Sequence, residues 1–519
     1  MDLNIFERSL AALSPRWGLQ RLYAKAGLEQ ARVLARSYDA ARRDRRTDGW
    51  RATGGSANAE LAPALKTIIN RSRDLVRNNE WPANGKRKWQ AHLIGTGIQP
   101  RPVAQEKRAK KTATDAWNAF SDNADPEGLT DFYGLQSRLI GEVFEGGAAF
   151  LRWYPRPSGM NLKVPLQCEV LEHDFLDTLK TEILDNGRGN VVIHGVEYNG
   201  YGQRVAYWLF PTHPGEVSMI RSANFKSERV SADYCDHVFR VDRPGQVTGV
   251  PWIAVSMLRH RDFADKEEAD MVRRKIAACF TVFVRRSGNG ATGLAQSADQ
   301  ATDSSNRRLE KISPGMIAYV EGEGDVTPAT PPAALDDGDA ERQQYAFAAG
   351  TGLPFATLTG NLKGANYSSL REGKLDFWTV LDQLQWHMCV PQIARPSWRR
   401  VMQAASSRGM QISPDLQAKF AMPKRPWVDP EKDLKAAMLE LSLGLNSWPE
   451  MASERGFDPD DLLDEINQWA GKLKEAGIKF SAAPGQQAGN STANDGQDPA
   501  NSDNNKPADV IAEGEDAQN

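Results

Sequence analysis

The sequence predicts an α+β chain, mostly helical, and three observations carry that prediction. Residues 251–285 and 367–406 each read as one long helix. Between 148 and 241, short runs rich in Val, Tyr, Phe and Trp alternate with Gly, Pro and Asn, the pattern of a sheet joined by hairpins. Residues 481–519 hold Gly, Gln, Asn, Asp, Ser and Pro without one aromatic residue, so they bury too little to offset chain entropy. The remaining composition is globular: 40% apolar and 25% charged over 519 residues. Wholesale disorder and a fibrous fold are excluded.

The elements follow in order. Residues 6–46 read as an amphipathic helix interrupted near Ser14-Pro15 and ended by the turn cluster Thr47-Asp48-Gly49. A helix over 59–79 is predicted from Leu61, Leu65, Ile68, Ile69, Leu75 and Val76, with Asn78-Asn79 and Trp81-Pro82 as its stop. Residues 89–98 read as a strand punctuated by Gly95 and Gly97, and helices are expected at 105–122 and 130–145. Strands are expected at 149–154, 166–171, 191–198, 205–210 and 237–241. Pro251 suits the first turn of the helix predicted to run to 285. A polar Gly/Ser/Gln stretch, a strand at 317–320 and a Pro/Asp stretch precede a helix at 340–350. The loop 351–366 carries Gly352, Pro354, Gly360 and Gly364. Asn366 or Ser368 caps the next long helix, which Pro391 and Pro396 should kink. Asp429-Pro430 and Asp458-Pro459 mark two helix starts in a small unit over 430–479.

Charge is uneven. Residues 1–111 hold 23 basic and 10 acidic side chains, a net of +13. Residues 429–519 hold 7 basic and 19 acidic, a net of −12, inside a total of −3. Tight duplex binders usually carry a basic excess, because affinity comes from neutralised phosphates. The longest apolar run, 277–284, is far short of the ~20 residues a membrane helix needs. The N-terminus is not a secretory signal. Cys168, Cys235, Cys279 and Cys389 lie scattered and read as small packing residues in a reducing compartment.

Catalytic motifs do not emerge. Gly85-Lys86, Gly373-Lys374 and Gly471-Lys472 lack the following Ser or Thr of a phosphate-binding loop. There is no His-Glu-x-x-His and no Gly-x-Ser-x-Gly. His173-Asp174 and His260-x-Asp262 read as surface residues rather than metal ligands. Glu142, Glu145, Glu169 and Glu172 read as solvated faces, and Trp378, Trp386 and Trp398 as one packing stripe. No metal, cofactor or catalytic residue is therefore expected.

Several stretches together resemble the lambda-type family of portal proteins of tailed bacteriophages, over roughly residues 30–478. They are 37–41 (SYDAA), Trp50, 56–58 (SAN), 71–79 (RSRDLVRNN), Gly95-x-Gly97-Ile98 and 243–251 (RPGQVTGVP). Further along come Gly352-Leu353-Pro354, Leu358-Thr359-Gly360, 366–371 (NYSSLR) and 427–433 (WVDPEKD). The last pair, set around a long helix, is the most specific.

The resemblance implies a ring, typically of twelve subunits, at one capsid vertex, with double-stranded DNA entering and leaving through its channel. It implies a basic N-terminal segment at 1–50, a wing at 51–250 and a first stem helix at 251–285. A clip would occupy 286–338, a second stem helix 339–351 and a channel loop 352–366. A long kinked helix and wing return would take 367–429, a crown 430–479 and a disordered tail 480–519. Implied partners are further copies of the chain, sliding DNA, the terminase large subunit, major capsid and scaffolding proteins, and head-tail adaptor proteins, with no membrane. The expected setting is the virion, after assembly in the host cytoplasm. Asn361, Lys363 and Asn366 are candidates to face DNA, and Arg307, Arg308 and Lys311 to dock motor or adaptor. The other classes the sequence leaves open are a nuclease or recombinase with an ungrouped carboxylate site, and a capsid protein that forms no ring.

Overall fold

The computed structural model describes residues 45, 49, 52–184, 189–216, 226–278, 282–285, 317–320, 337–364, 366–425, 430–455, 457 and 459–477. They fall into two compact units, Met1–Ala437 with Glu454–Gly456, and Met438–Ser453 with Phe457–Asn519. The N-terminal helix expected at 6–46, the clip residues Arg307, Arg308 and Lys311, and the tail from 480 lie outside the described residues.

The larger unit begins with three helices: α1 (Ala57–Leu61), α2 (Leu65–Asn78) and α3 (Glu80–Leu93). Helix α3 corrects the strand expected at 89–98. Asn79 caps it by accepting from the Trp81 N–H at 3.1 Å. Pro82 then sits in its first turn, where a missing N–H costs nothing. Trp81-Pro82 thus belongs to a start, not a stop. Strand β1 (Gln99–Pro102) and helices α4 (Lys107–Ser121) and α5 (Phe132–Gly146) follow.

Strands β2 (Ala148–Pro155), β3 (Leu166–Glu172) and β9 (Cys235–Phe239) form an antiparallel sheet in the order β3-β2-β9. A second antiparallel sheet runs β4 (Glu182–Ile183), β5 (Val191–Ile193), β6 (Val196–Tyr198), β7 (Arg204–Leu209) and β8 (Glu228–Ser231). The single strand expected at 191–198 is therefore a hairpin, turned at His194-Gly195, both with positive φ.

The long helix expected over 251–285 is α6 (Met257–Ala278), 22 residues. Its last predicted residues instead form β10 (Val282–Arg285), parallel to β11 (Ile317–Val320). The β-branched Val282 and Val284 favour the strand. Helix α7 (Asp337–Thr351) precedes a short α8 (Phe355–Thr359) inside what read as open loop. Helix α9 (Tyr367–Leu384) passes into a π-helical stretch, Gln385–Ala394, and then α10 (Arg395–Ser407). Pro391 lies within the π stretch, so its missing N–H is absorbed by wider turns rather than a break. Strand β12 (Ala418–Ala421) pairs antiparallel with β1. The chain continues through α11 (Pro430–Ser442), α12 (Trp448–Glu454) and α13 (Pro459–Glu475), with helices starting at both expected prolines.

Two apolar cores hold the larger unit together, a main one and a smaller one in which Phe150, Leu176, Val196 and Tyr207 lie among the strands. Trp117 meets Phe132 edge-on at 5.4 Å, Phe120 stacks on Trp153 at 5.8 Å, and Trp398 lies 5.7 Å from Trp117. Each such side chain contributes roughly 1.5–3 kcal/mol on burial. Trp398 joins the main core and Trp378 packs on its edge, but Trp386 is half exposed, so the tryptophan stripe is only partly internal. Cys168, Cys235 and Cys389 are buried packing residues, as expected. His173, His260 and Glu142 are buried, against the surface reading of all three.

Candidate functional site

The sequence motifs turn out to meet one another. Asn58, from the SAN stretch, holds the RPGQVTGV loop 187 residues away: its Nδ2 donates to the Gly245 carbonyl at 2.9 Å. Its Oδ1 accepts from the Val247 N–H at 2.9 Å. Arg243 returns the contact, pairing with Glu60 at 2.8 Å and donating to the Gly55 carbonyl at 3.2 Å. The Thr248 hydroxyl of that loop lies between two buried imidazoles, 2.7 Å from His173 Nε2 and 3.2 Å from His237 Nε2. Burial holds both imidazoles below the usual histidine range, and the neighbouring Arg204 guanidinium lowers His237 further.

Arg73, from the RSRDLVRNN stretch on α2, is the centre of a second clasp. It pairs with Glu142 of α5 at 2.8 Å, Glu172 of β3 at 2.8 Å, and Asp174 just beyond β3. Glu142 also accepts from the His173 backbone N–H at 3.3 Å. Burial pushes the Glu142 carboxyl up to about 7, against the pull of Arg73. Burial opposes the charge on Arg73 as well, but Glu142, Asp174 and Glu172 outweigh it and hold its pKa above the ordinary value. Lys86 pairs with Glu145 at 2.5 Å on the next turn of α5. The cleft beside Arg73, about 520 Å³, is lined by Asn70, Arg73, Val76, Arg77, Glu145, Glu172 and His213.

Glu172, Asp174 and His213 bring one ligand atom each within 4.8 Å of one another. The arrangement does not favour a metal. The Gly215 N–H donates to His213 Nδ1 at 3.0 Å, so the neutral ring carries its proton on Nε2, facing Glu172 at 3.4 Å. The cation those carboxylates already hold is Arg73.

The NYSSLR and WVDPEKD stretches are joined in turn: Arg371 donates to Asp433 at 3.3 Å. Asn366 closes a capping box at the start of α9, its Oδ1 accepting from the Ser369 N–H at 2.8 Å. Asn361 folds its Oδ1 back onto the Lys363 N–H at 2.9 Å. Asn361, Lys363 and Asn366 are all exposed. Leu353 and Leu358 anchor the base of that loop in the core, and the Trp89 indole donates to the Thr351 carbonyl at 2.9 Å. The loop is therefore an exposed tip, polar but for Leu362, on a buried root. Sequence reasoning quoted Asn58, Arg73 and Arg371 as motif members without finding their partners. The one usable signal was an arginine or asparagine embedded in a helix that had no local acid to pair with.

Motifs that fold into clasps between distant segments define a structural subunit. The profile of the phage portal protein, lambda family, matches residues 43–385, and the chain belongs to that family. A probable portal protein of Halomonas phage phiHAP-1 is 24% identical over 483 residues, covering 86% of this chain and 88% of the relative. Two solved structures are also similar. The neck of an empty gene transfer agent particle has a TM-score of 0.38 at 14% identity, with 78% of this chain and 95% of that chain covered. The virion of a native gene transfer agent particle gives 0.38 at 13%, covering 76% and 93%.

Proposed function

We propose that this portal protein is one subunit of a ring, built of twelve copies in the manner of its family, through which duplex DNA is packaged and ejected without catalysis by the chain itself. The observation that carries the proposal is α6. Its first turns are anchored by Phe263, which meets Phe347 of α7 edge-on at 5.3 Å, and by His260, which stacks on the same ring at 4.0 Å. Beyond Phe263, no residue from Ala264 to Lys275 is buried, and Met271 and Val272 are about half exposed. A 22-residue helix spans about 33 Å. Isolated, such a projecting helix is poorly supported; copies set side by side would cover it. This supports reading 251–285 and 339–351 as a stem, 286–338 as a clip, 352–366 as a channel loop and 430–479 as a crown.

Twelve subunits at −3 would carry about −36, which keeps a passing duplex from adhering. Lys363 at the exposed loop tip is the cation proposed to brake leakage, with Asn361 and Asn366 beside it. Terminase, capsid, scaffolding and adaptor proteins are the proposed partners, the clip residues Arg307, Arg308 and Lys311 their docking points, and the virion the destination after assembly in host cytoplasm. Negative-stain images of the purified chain test the ring directly: rings with an axial opening are expected, and a monomer at every concentration overturns the proposal. Lys363→Glu is expected to leave rings intact and to increase DNA leakage from filled heads; normal retention removes Lys363 from the mechanism.

A further inference from the structure

The two imidazoles beside Thr248 belong to a longer hydrogen-bonded chain whose protons have one arrangement. His173 Nδ1 lies 2.7 Å from the Gly146 carbonyl, which can only accept, so Nδ1 carries the proton of that ring. His173 Nε2 is then an acceptor, and the Thr248 hydroxyl donates to it at 2.7 Å. On the other side, Arg204 Nη1 lies 3.1 Å from His237 Nδ1. A guanidinium can only donate, so Nδ1 accepts, and the His237 proton sits on Nε2, facing Thr248 Oγ1 at 3.2 Å. The chain joins the end of α5, the turn after β3, the 243–250 loop, β9 and β7. Each ring nitrogen without a hydrogen is already taken by a donor, so neither ring has a place for a second proton. The loop these bonds hold is the lead-in to α6. Gln246 staples it: Oε1 accepts from the Asp242 and Arg243 N–H groups at 2.9 and 3.2 Å, and Nε2 donates to the Thr248 carbonyl at 2.8 Å. Val247 is buried in the smaller core with Phe150 and Tyr207. A side chain at Gly249 would collide with the Gly147 carbonyl, so the loop lies tight against the end of α5 before the chain enters α6 at Met257.

We infer that the Thr248–His237 junction is an acid-released latch, which fixes the lead-in to α6 while the rings are neutral and lets it go when His237 takes up a second proton. The groups around His237 do not offset a second positive charge. From β2 comes Phe150, stacked at 4.4 Å, and from β7 come Tyr207, edge-on at 5.6 Å, and the Arg204 guanidinium. β9 itself adds Phe239 at 4.7 Å and Cys235, a buried thiol whose pKa burial pushes up. The turn after β3 adds His173, on which Asp174 and Arg73 act in opposite directions. The carboxylates nearest in sequence are spent elsewhere: Asp236 on Arg400 and Trp153, Asp242 on Arg240. His237 therefore stays below its ordinary value of 6.5 in the closed loop and regains that value when the loop opens. The sign follows. The latch is at full strength above 6.5 and weakens as pH falls below it, by about tenfold per pH unit for each ring released. The latch belongs to the subunit fold and stands whether or not α6 is a stem.

Hydrogen exchange of the full chain tests it, read by mass spectrometry on peptides spanning 243–250 and corrected for the intrinsic pH dependence of exchange. Between about pH 6 and pH 5, protection of the Val247 amide should fall at least tenfold. His237→Gln offers a donor and an acceptor but takes up no second proton, and it should remove one factor of about ten from that fall. Arg204→Gln keeps a donor toward His237 Nδ1 without the charge. The ring then accepts its proton with the loop still closed, so the fall should level off at a higher pH and end smaller than in the unmodified chain. Constant protection down to about pH 5 overturns the inference, and so does an equal fall in His237→Gln, which would place the titrating group elsewhere. If His237→Gln is already unprotected at about pH 7.5, Arg204→Gln decides: a pH profile unchanged from the unmodified chain overturns the latch. Negative-stain rings from a chain that fails these comparisons would refute the latch and leave the portal reading standing.

Discussion

Arg73→Leu is the most informative single change. It removes the one cation paired with Glu142 among the described residues, and the Glu142 side chain is 8% exposed. Breaking a buried pair from one side costs roughly 3–5 kcal/mol, because the remaining charge is stranded. The loss should depend on pH in a defined direction. Glu142 already sits near 7 with Arg73 present, because of its burial. Without Arg73 it rises further, so at pH 5 it is neutral in the folded state and no charge is stranded. What remains at pH 5 is the lost charged hydrogen bonding to Asp174, about 1.5–3 kcal/mol. The half-exposed Glu172 adds little. Equilibrium urea unfolding followed by tryptophan fluorescence should therefore show a loss about 2 kcal/mol larger at pH 8 than at pH 5. A loss below about 1 kcal/mol, or one equal at both pH values, refutes the view that Arg73 is the counter-ion of a buried carboxylate.

Glu142→Gln should remove part of the pH dependence in the otherwise unchanged chain. The folded carboxyl titrates near 7 and the unfolded one near 4.5, so its contribution is fully present below 4.5 and is lost as pH rises through 7. That is at most about 3 kcal/mol, read as the difference between wild-type and variant urea midpoints at pH 4.5 and pH 8. Asn58→Ala removes both hydrogen bonds to the 243–250 loop and should cost about 1–3 kcal/mol. Faster hydrogen exchange at the Val247 amide is the local signature; unaltered exchange would show that the loop is held by other contacts. Gly97→Ala forces a side chain into φ +110°, with its Cβ 2.2 Å from the Tyr133 ring. A loss of about 2–5 kcal/mol in thermal or urea unfolding is expected, and a neutral result would mean that Tyr133 yields freely.

What the sequence made legible, and what it concealed, divides along a physical line. Periodicity is local, so α2, α4, α5 and the strands β2, β3, β7 and β9 could be read from spacing alone, whereas β4 and β8 were not read and 191–198 concealed a hairpin. Punctuation was harder, because Pro has two meanings. At Pro82 it starts a helix, and at Pro391 it sits in a widened one, while sequence reasoning took the first for a stop. The run ending at 285 was read as one helix interrupted only by polar and charged positions. Whether Val282 becomes strand depends on Ile317 being available beside it, which no local window contains.

The clasps were concealed for the same reason and more completely. Arg73 finds partners 69, 99 and 101 positions away, and nothing near it announces which acids they are. The charge of a motif residue is visible, but its burial is not, and burial decides whether it is a solvated ornament or a costly internal ion. This is why Glu142 was misread as a surface acid. It also separates two kinds of cation. Arg73 is consumed inside the fold, where three carboxylates more than neutralise it. Lys107, Arg108 and Lys419 are exposed. A net of +13 over residues 1–111 does not distinguish these uses. The fold does, and only the second kind has charge to offer a partner outside the subunit.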